Sequence, residues 1–240
     1  MTNLHPVIIA CAMEEEAEPF LTALTADPTI PVPKLPRGFQ GPLTFTAGRL
    51  EDHPVIVATT GIGMTNAALA ATVVSTALNP RAVVFAGTTG GLGRNVHLGD
   101  VVVGDSALYH DADATAFGYS AGQIPQMPET YDADPHLLAH AEAAVRTTGL
   151  KFHAGQVSAS NSFVTGEQVA PVRSLFPHVV AVDMETAAGA QVCWSFNVPW
   201  VSLRAVSDLC DPNANEVFDS SAPAAGAASF EAVRALLKRI

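Results

Sequence analysis

The chain alternates two apolar patterns. Short unbroken runs of β-branched and aliphatic residues lie at 7–13 (VIIACAM), 82–86, 101–108, Val179–Asp183 and Trp200–Asp208, as expected for strands covered on both faces. Between them, helical spacing predicts helices over 14 to about 25, 65–78, 135–148, 167–176 and 185–196. A last helix presents Phe230, Val233, Leu236 and Leu237 on one side. Segments 43–49 and 55–60 read as strands paired around Glu51-Asp52-His53, and 156–159 as a further strand. Pro28, Pro31, Pro33 and Pro36 make a surface loop. Residues 87–91 (GTTGG) and 210–220 read as loops too, the first able to bring backbone close to a ligand.

Strands alternating with helices define an α/β protein. In open α/β sheets the ligand crevice lies beyond the carboxyl ends of the strands. Three strand ends here carry acids: Glu14, Glu15 and Glu16 after the first, Asp183 and Glu185 around Met184, and Asp208 at the end of WVSLRAVSD. These ends are expected to meet in one acidic pocket floored by methionine. The glutamates also suit a helix N-terminus, where the dipole favours negative charge, so one of the first three is expected to turn inward. Phe163 and Val164, in a polar loop, form a candidate apolar wall.

The 240 residues, 48% hydrophobic, suit one domain spanning 1–240. With 12 basic against 23 acidic residues and a net charge of −11, there is no basic stripe for a nucleic acid. No apolar run reaches the roughly 18–20 residues of a membrane span, and MTNLHP lacks the features of a signal peptide. A cytoplasmic protein is expected. Cys11, Cys193 and Cys210 contain no CxxC pair and read as reduced thiols. Gly61-Ile62-Gly63 opens a helix, but Asn66 stands where a dinucleotide fingerprint needs its third glycine. Tyr109-His110-Asp111-Ala112-Asp113 reads as a polar turn without a second ligand group, and His136 and His140 as one helix face without the glutamate of HExxH. Neither metal nor other cofactor is expected.

Five motifs carry a resemblance: AMEEE at 12–16, TGIGMTNAA at 60–68, YHDADATAFGY at 109–119, VDMETAA at 182–188 and RAVSD at 204–208. In this order they resemble the bacterial 5'-methylthioadenosine/S-adenosylhomocysteine nucleosidases of the purine nucleoside phosphorylase superfamily. The resemblance implies a three-layer α/β/α sandwich around a mixed, partly barrel-like sheet, usually as a homodimer, that hydrolyses an N-ribosidic bond. It also implies roles. Asp208 would protonate the departing adenine and Glu16 would activate water. Glu185 would hold the ribose hydroxyls, with Met13 and Met184 lining the sugar. Phe163 would stack on the base, Val164 would read its edge, and Phe218 would close the loop. Ser207 and Arg204 would orient the acid and the water, with Thr88 nearby. Ile62, with Phe117 and Pro125 from a neighbouring subunit, would enclose the alkylthio group.

Charge favours water over phosphate as nucleophile, because the first Lys or Arg in the chain is Lys34 and an unpaired glutamate repels phosphate. The sequence departs from the family pattern at Thr88, Ser160-Asn161 and Asp183. A nucleosidase acting on futalosine-type nucleosides, a phosphorylase, and a nucleoside-binding protein without turnover are the alternatives.

Overall fold

A computed structural model describes residues 5–240. Residues 1–4, part of the segment read for a targeting signal, lie outside the described residues. Among the described residues, nine strands form one sheet: β1 (Val7–Cys11), β2 (Thr44–Leu50), β3 (His53–Thr59), β4 (Ala82–Gly91), β5 (Val101–Tyr109), β6 (Tyr131–Asp132), β7 (Phe152–Ala159), β8 (Val179–Asp183) and β9 (Trp200–Asp208). Their order is β2-β3-β1-β4-β8-β7-β5-β6. β9 pairs in parallel with β4 and antiparallel with β5. The run β4-β8-β7-β5 is thereby closed by β9 into a five-stranded ring, the barrel-like part of the sheet. Val96, Val102, Val157, Ala181 and Val206 form one apolar cluster within this part of the fold.

Strand alternation sorts the two largest parts of the core onto two faces. Ile9, Val57, Val84 and Leu203 pack with α1 (Glu14–Ala23), α3 (Pro135–Val145) and α6 (Ala214–Leu237). Their neighbours Ile8, Ile56, Val83 and Phe85 pack with α2 (Met64–Leu78) and α5 (Thr186–Phe196). Helices thus cover both sides of a mixed sheet. A Cβ on Gly189 would lie 2.3 Å from the Phe85 ring, so glycine there lets α5 approach β4. Among the described residues, no helix is long and apolar enough to cross a membrane.

Several boundaries differ from the sequence reading. The glycine stretch 87–91 is no loop: it continues β4, whose ladder with β9 runs, through one register shift, to Gly90 opposite Asp208. Residues 214–220, read as loop, are the first turns of α6, which runs through Pro223. Its exposed polar residues hid the helix because so little apolar surface is buried there. α3 stops at Val145, where Thr147 and Thr148 return their hydroxyls to the carbonyls of Ala144 and Val145, both at 2.7 Å, diverting the chain from the helix. β7 starts earlier, at Phe152, opposite Val101 of β5. β1 ends at Cys11, and α4 (Val169–Leu175) follows a separate 3-10 turn, Gly166–Gln168.

Candidate active site

Of the three glutamates that open α1, Glu14 and Glu15 are exposed and Glu16 is buried. The Glu16 carboxylate accepts four hydrogen bonds. Ala12 N–H and Met13 N–H donate at 2.8 and 3.1 Å, and the Thr88 N–H and hydroxyl at 2.7 and 2.8 Å. Gly87 makes room for it: its φ is +120°, and a Cβ there would sit 2.4 Å from the carboxylate. The glycines that resembled a ligand-binding loop therefore seat an acid of the chain itself.

At the end of β8, Asp183 accepts from the N–H groups of Glu185 and Thr186, at 3.1 and 2.9 Å, and from the Thr186 hydroxyl. It thereby starts α5 as an N-cap side chain does. Glu185 accepts from Gly63 N–H at 2.8 Å. Arg204 of β9, 2% exposed, ties these acids together. Its Nη2 lies 3.3 Å from Glu185 Oε2, and its Nη1 donates to the Thr88 carbonyl at 2.9 Å. Nε is 3.2 Å from Asp183 Oδ2, an ion-pair distance without hydrogen-bond alignment.

Burial, only partly offset by Arg204, pushes Glu185 up to about 7. Burial opposes the charge of Arg204, but Asp183, Glu185 and Glu16 more than compensate and raise its pKa. Asp208 accepts from the Ser207 hydroxyl and from Cys210 N–H, each at 3.0 Å. Burial nevertheless dominates and lifts its pKa above the ordinary aspartate value. Two of the acids thus hold protons more tightly than free carboxyls do, beside a third that is fully hydrogen-bonded.

Glu16, Glu185 and Asp208 open into one cavity of ≈ 290 Å³. Met13, Met184, Phe163, Val164, Phe218 and Ile62 supply apolar walls, with Thr88, Ser207 and Arg204 between them. The rings of Phe163 and Phe218 meet edge to face, centroids 6.1 Å apart. The two residues expected from a neighbouring subunit, Phe117 and Pro125, are not in this lining. Phe117 is 84% exposed in a 3-10 turn.

Some lining residues were not foreseen. Asp183 and Cys210 reach the cavity; Asp183 was expected there only as part of an acidic strand end, with no role of its own, and Cys210 was read only as a reduced thiol. Asn215 and Asp219 also line it, from the part of α6 read as loop; their four-residue spacing becomes a shared face only once that helix is known. His110 is half-buried, with Nδ1 3.1 Å from the Ser158 hydroxyl. Asp113 caps its own turn by accepting from the Thr115 N–H and hydroxyl, at 2.9 and 2.7 Å.

The closed-ring α/β sheet thus gathers carboxylates at its strand ends around an apolar slot. The sequence profile of the phosphorylase superfamily matches residues 6–238. The 5'-methylthioadenosine/S-adenosylhomocysteine nucleosidase of Staphylococcus saprophyticus is 39% identical over 199 residues, 82% of this chain and 87% of its own length. The structure of the nucleosidase of that name from Neisseria meningitidis, in complex with methylthio-immucillin-A, superimposes with a TM-score of 0.91 at 35% identity, covering 99% of this chain and 100% of that one. A futalosine hydrolase from Helicobacter pylori gives 0.88 at 26% identity, covering 99% of each chain. The chain belongs to the phosphorylase superfamily and, within it, to the family of 5'-methylthioadenosine/S-adenosylhomocysteine nucleosidases.

Proposed function

We propose that the protein hydrolyses the N-ribosidic bond of 5'-methylthioadenosine, S-adenosylhomocysteine or both, releasing adenine and the thioribose. The observation that carries the reading is the convergence of Glu16, Glu185 and Asp208 in one cavity with two methionines and two phenylalanines. Breaking this bond builds positive charge on the sugar and negative charge on the base, so the reaction needs an acid beside the base and carboxylates beside the sugar. Asp208, with its raised pKa, donates the proton to the leaving adenine. Glu185 holds the ribose hydroxyls, Met13 and Met184 line the sugar, and Phe163 and Phe218 hold the base. Glu16 takes the proton from water. All its lone-pair positions are occupied, so the water displaces the longest of its bonds, the 3.1 Å one from Met13 N–H.

Hydrolysis is favoured over phosphorolysis by charge. Among the described residues, the only cation lining the cavity is Arg204, already engaged by Asp183 and Glu185. In the same reading the protein acts in the cytoplasm as a homodimer, with Phe117 and Pro125 of one copy closing the thioether end of the other's cavity.

The test is incubation with 5'-methylthioadenosine, with and without phosphate, followed by chromatography. Adenine and free methylthioribose in both samples are expected. Methylthioribose 1-phosphate appearing only with phosphate would make the protein a phosphorylase. The likeness to futalosine hydrolase supports a second reading, and cleavage of a futalosine-type nucleoside in preference to methylthioadenosine would select it.

A further inference from the structure

This inference rests on the reading of Asp208 as the acid. Cys210 has φ +57°, a left-handed conformation that residues with a Cβ seldom adopt. The turn directs its N–H to Asp208 Oδ1 at 3.0 Å, while its carbonyl accepts from Gly166 N–H at 2.9 Å. One residue thus bonds the acid with its donor and the segment that follows Phe163 and Val164 with its acceptor. The Thr165 hydroxyl fastens the same two segments by donating to the Asp211 carbonyl. The side chain is equally constrained. Cys210 is 2% exposed and lines the cavity. A Cβ built on Gly90 would meet its Sγ at 2.7 Å and Asp208 Oδ1 at 3.3 Å, so thiol and carboxyl share the space over that glycine.

We propose that Cys210 is a positioning residue for the reaction, fixing the Asp208 carboxyl against the base-binding segment and giving it a side-chain neighbour that donates only weakly. A thiol is among the weakest protein donors. Burial, together with the charge of Asp208, pushes this one up, so it stays protonated and acts as a wall rather than a nucleophile. The other charged groups facing the pair are Asp211 on the same loop and Arg173 of α4. Glu16, Asp183, Glu185, Arg204 and Asp219 line the same cavity. Neither cysteine nor loop geometry distinguishes positioning from packing, but the strength of the donor at position 210 does. A hydroxyl there stabilises the ionised carboxylate, so the acid loses its proton at lower pH. A methyl group removes the donor and does the opposite.

The experiment is the pH dependence of kcat for the wild type, Cys210→Ser and Cys210→Ala. The basic limb is expected about one pH unit lower in the serine variant, roughly tenfold less activity on that limb, and at or above the wild-type position in the alanine variant. A serine profile that superimposes on the wild type overturns the inference, as does an alanine limb below it. Should the wild type cleave none of the nucleosides, the functional reading itself fails. The inference is then decided by the carboxyl ¹³C titration of Asp208, assigned through its loss in Asp208→Asn. A lower midpoint in Cys210→Ser supports it, and coincident titrations refute it.

Discussion

For Asp208 to protonate a leaving base near neutral pH, it must keep a proton that an ordinary aspartate, with a pKa near 3.9, has lost. Burial moves it in that direction, and the bound purine can share the proton. Asp208→Asn keeps the shape and removes the proton, so kcat is expected to fall by about 10² to 10⁴, measured as the single-turnover rate of adenine release. Glu185 makes a different prediction. Its pKa of about 7 lies above the value near 4.3 of an unfolded chain, so between these the native state binds more protons. Stability contributed by that proton is complete below about pH 4.5 and is lost as pH rises through about 7. Melting temperatures taken from pH 5 to pH 8 should therefore decline less in Glu185→Gln than in the wild type. Asp208 and Glu185 were legible as acids at the ends of apolar strands, and Glu16 as one of three glutamates among which the family resemblance singled it out. Cys210 was not, since its left-handed backbone and its neighbour across β4 exist only in the folded chain.

Among the elements, β4 and α6 carry the least expected features. The far half of β4 is bare of large side chains because Glu16 lies over it, and Gly87→Ala brings a Cβ to 2.4 Å from that carboxylate at φ +120°. Backbone strain alone costs about 1–3 kcal/mol, so a lower midpoint of urea denaturation is expected, together with loss of activity. The early turns of α6 bring Phe218 against Phe163. Stacking on a base is typically worth about 1–3 kcal/mol, so Phe218→Ala should raise the dissociation constant for adenine by about fivefold or more in a calorimetric titration. Strand runs such as WVSLRAVSD announced themselves by unbroken burial. The start of α6 did not, because Asn215, Glu216, Asp219 and Ser220 are exposed and a half-solvated helix lacks the apolar stripe that pattern reading needs.

At the scale of the whole molecule, large apolar side chains remain at the surface. Ile62 at the cavity edge, Leu69 on α2, Trp194 and Phe196 on α5, and Phe117 are all exposed. Pairing of two copies across these helices would bury them, and sedimentation at micromolar concentration should then report twice the chain mass. In the proposed dimer Phe117 would reach only the thioether end of the neighbour's cavity, so Phe117→Ala should raise KM for methylthioadenosine more than it lowers kcat. The layered sheet followed from alternating patterns, whereas its closure did not: nothing in a single strand records that β9 has two partners.

That double pairing has a consequence for synthesis. β4 and β5 leave the ribosome long before β9, and until it arrives their edges stand open to any passing strand. The acid is delivered by the segment that seals this gap, far along the chain from the first of its partners. In a refolding experiment, recovery of turnover should accordingly coincide with the slowest, longest-range pairing and lag behind the return of helical signal.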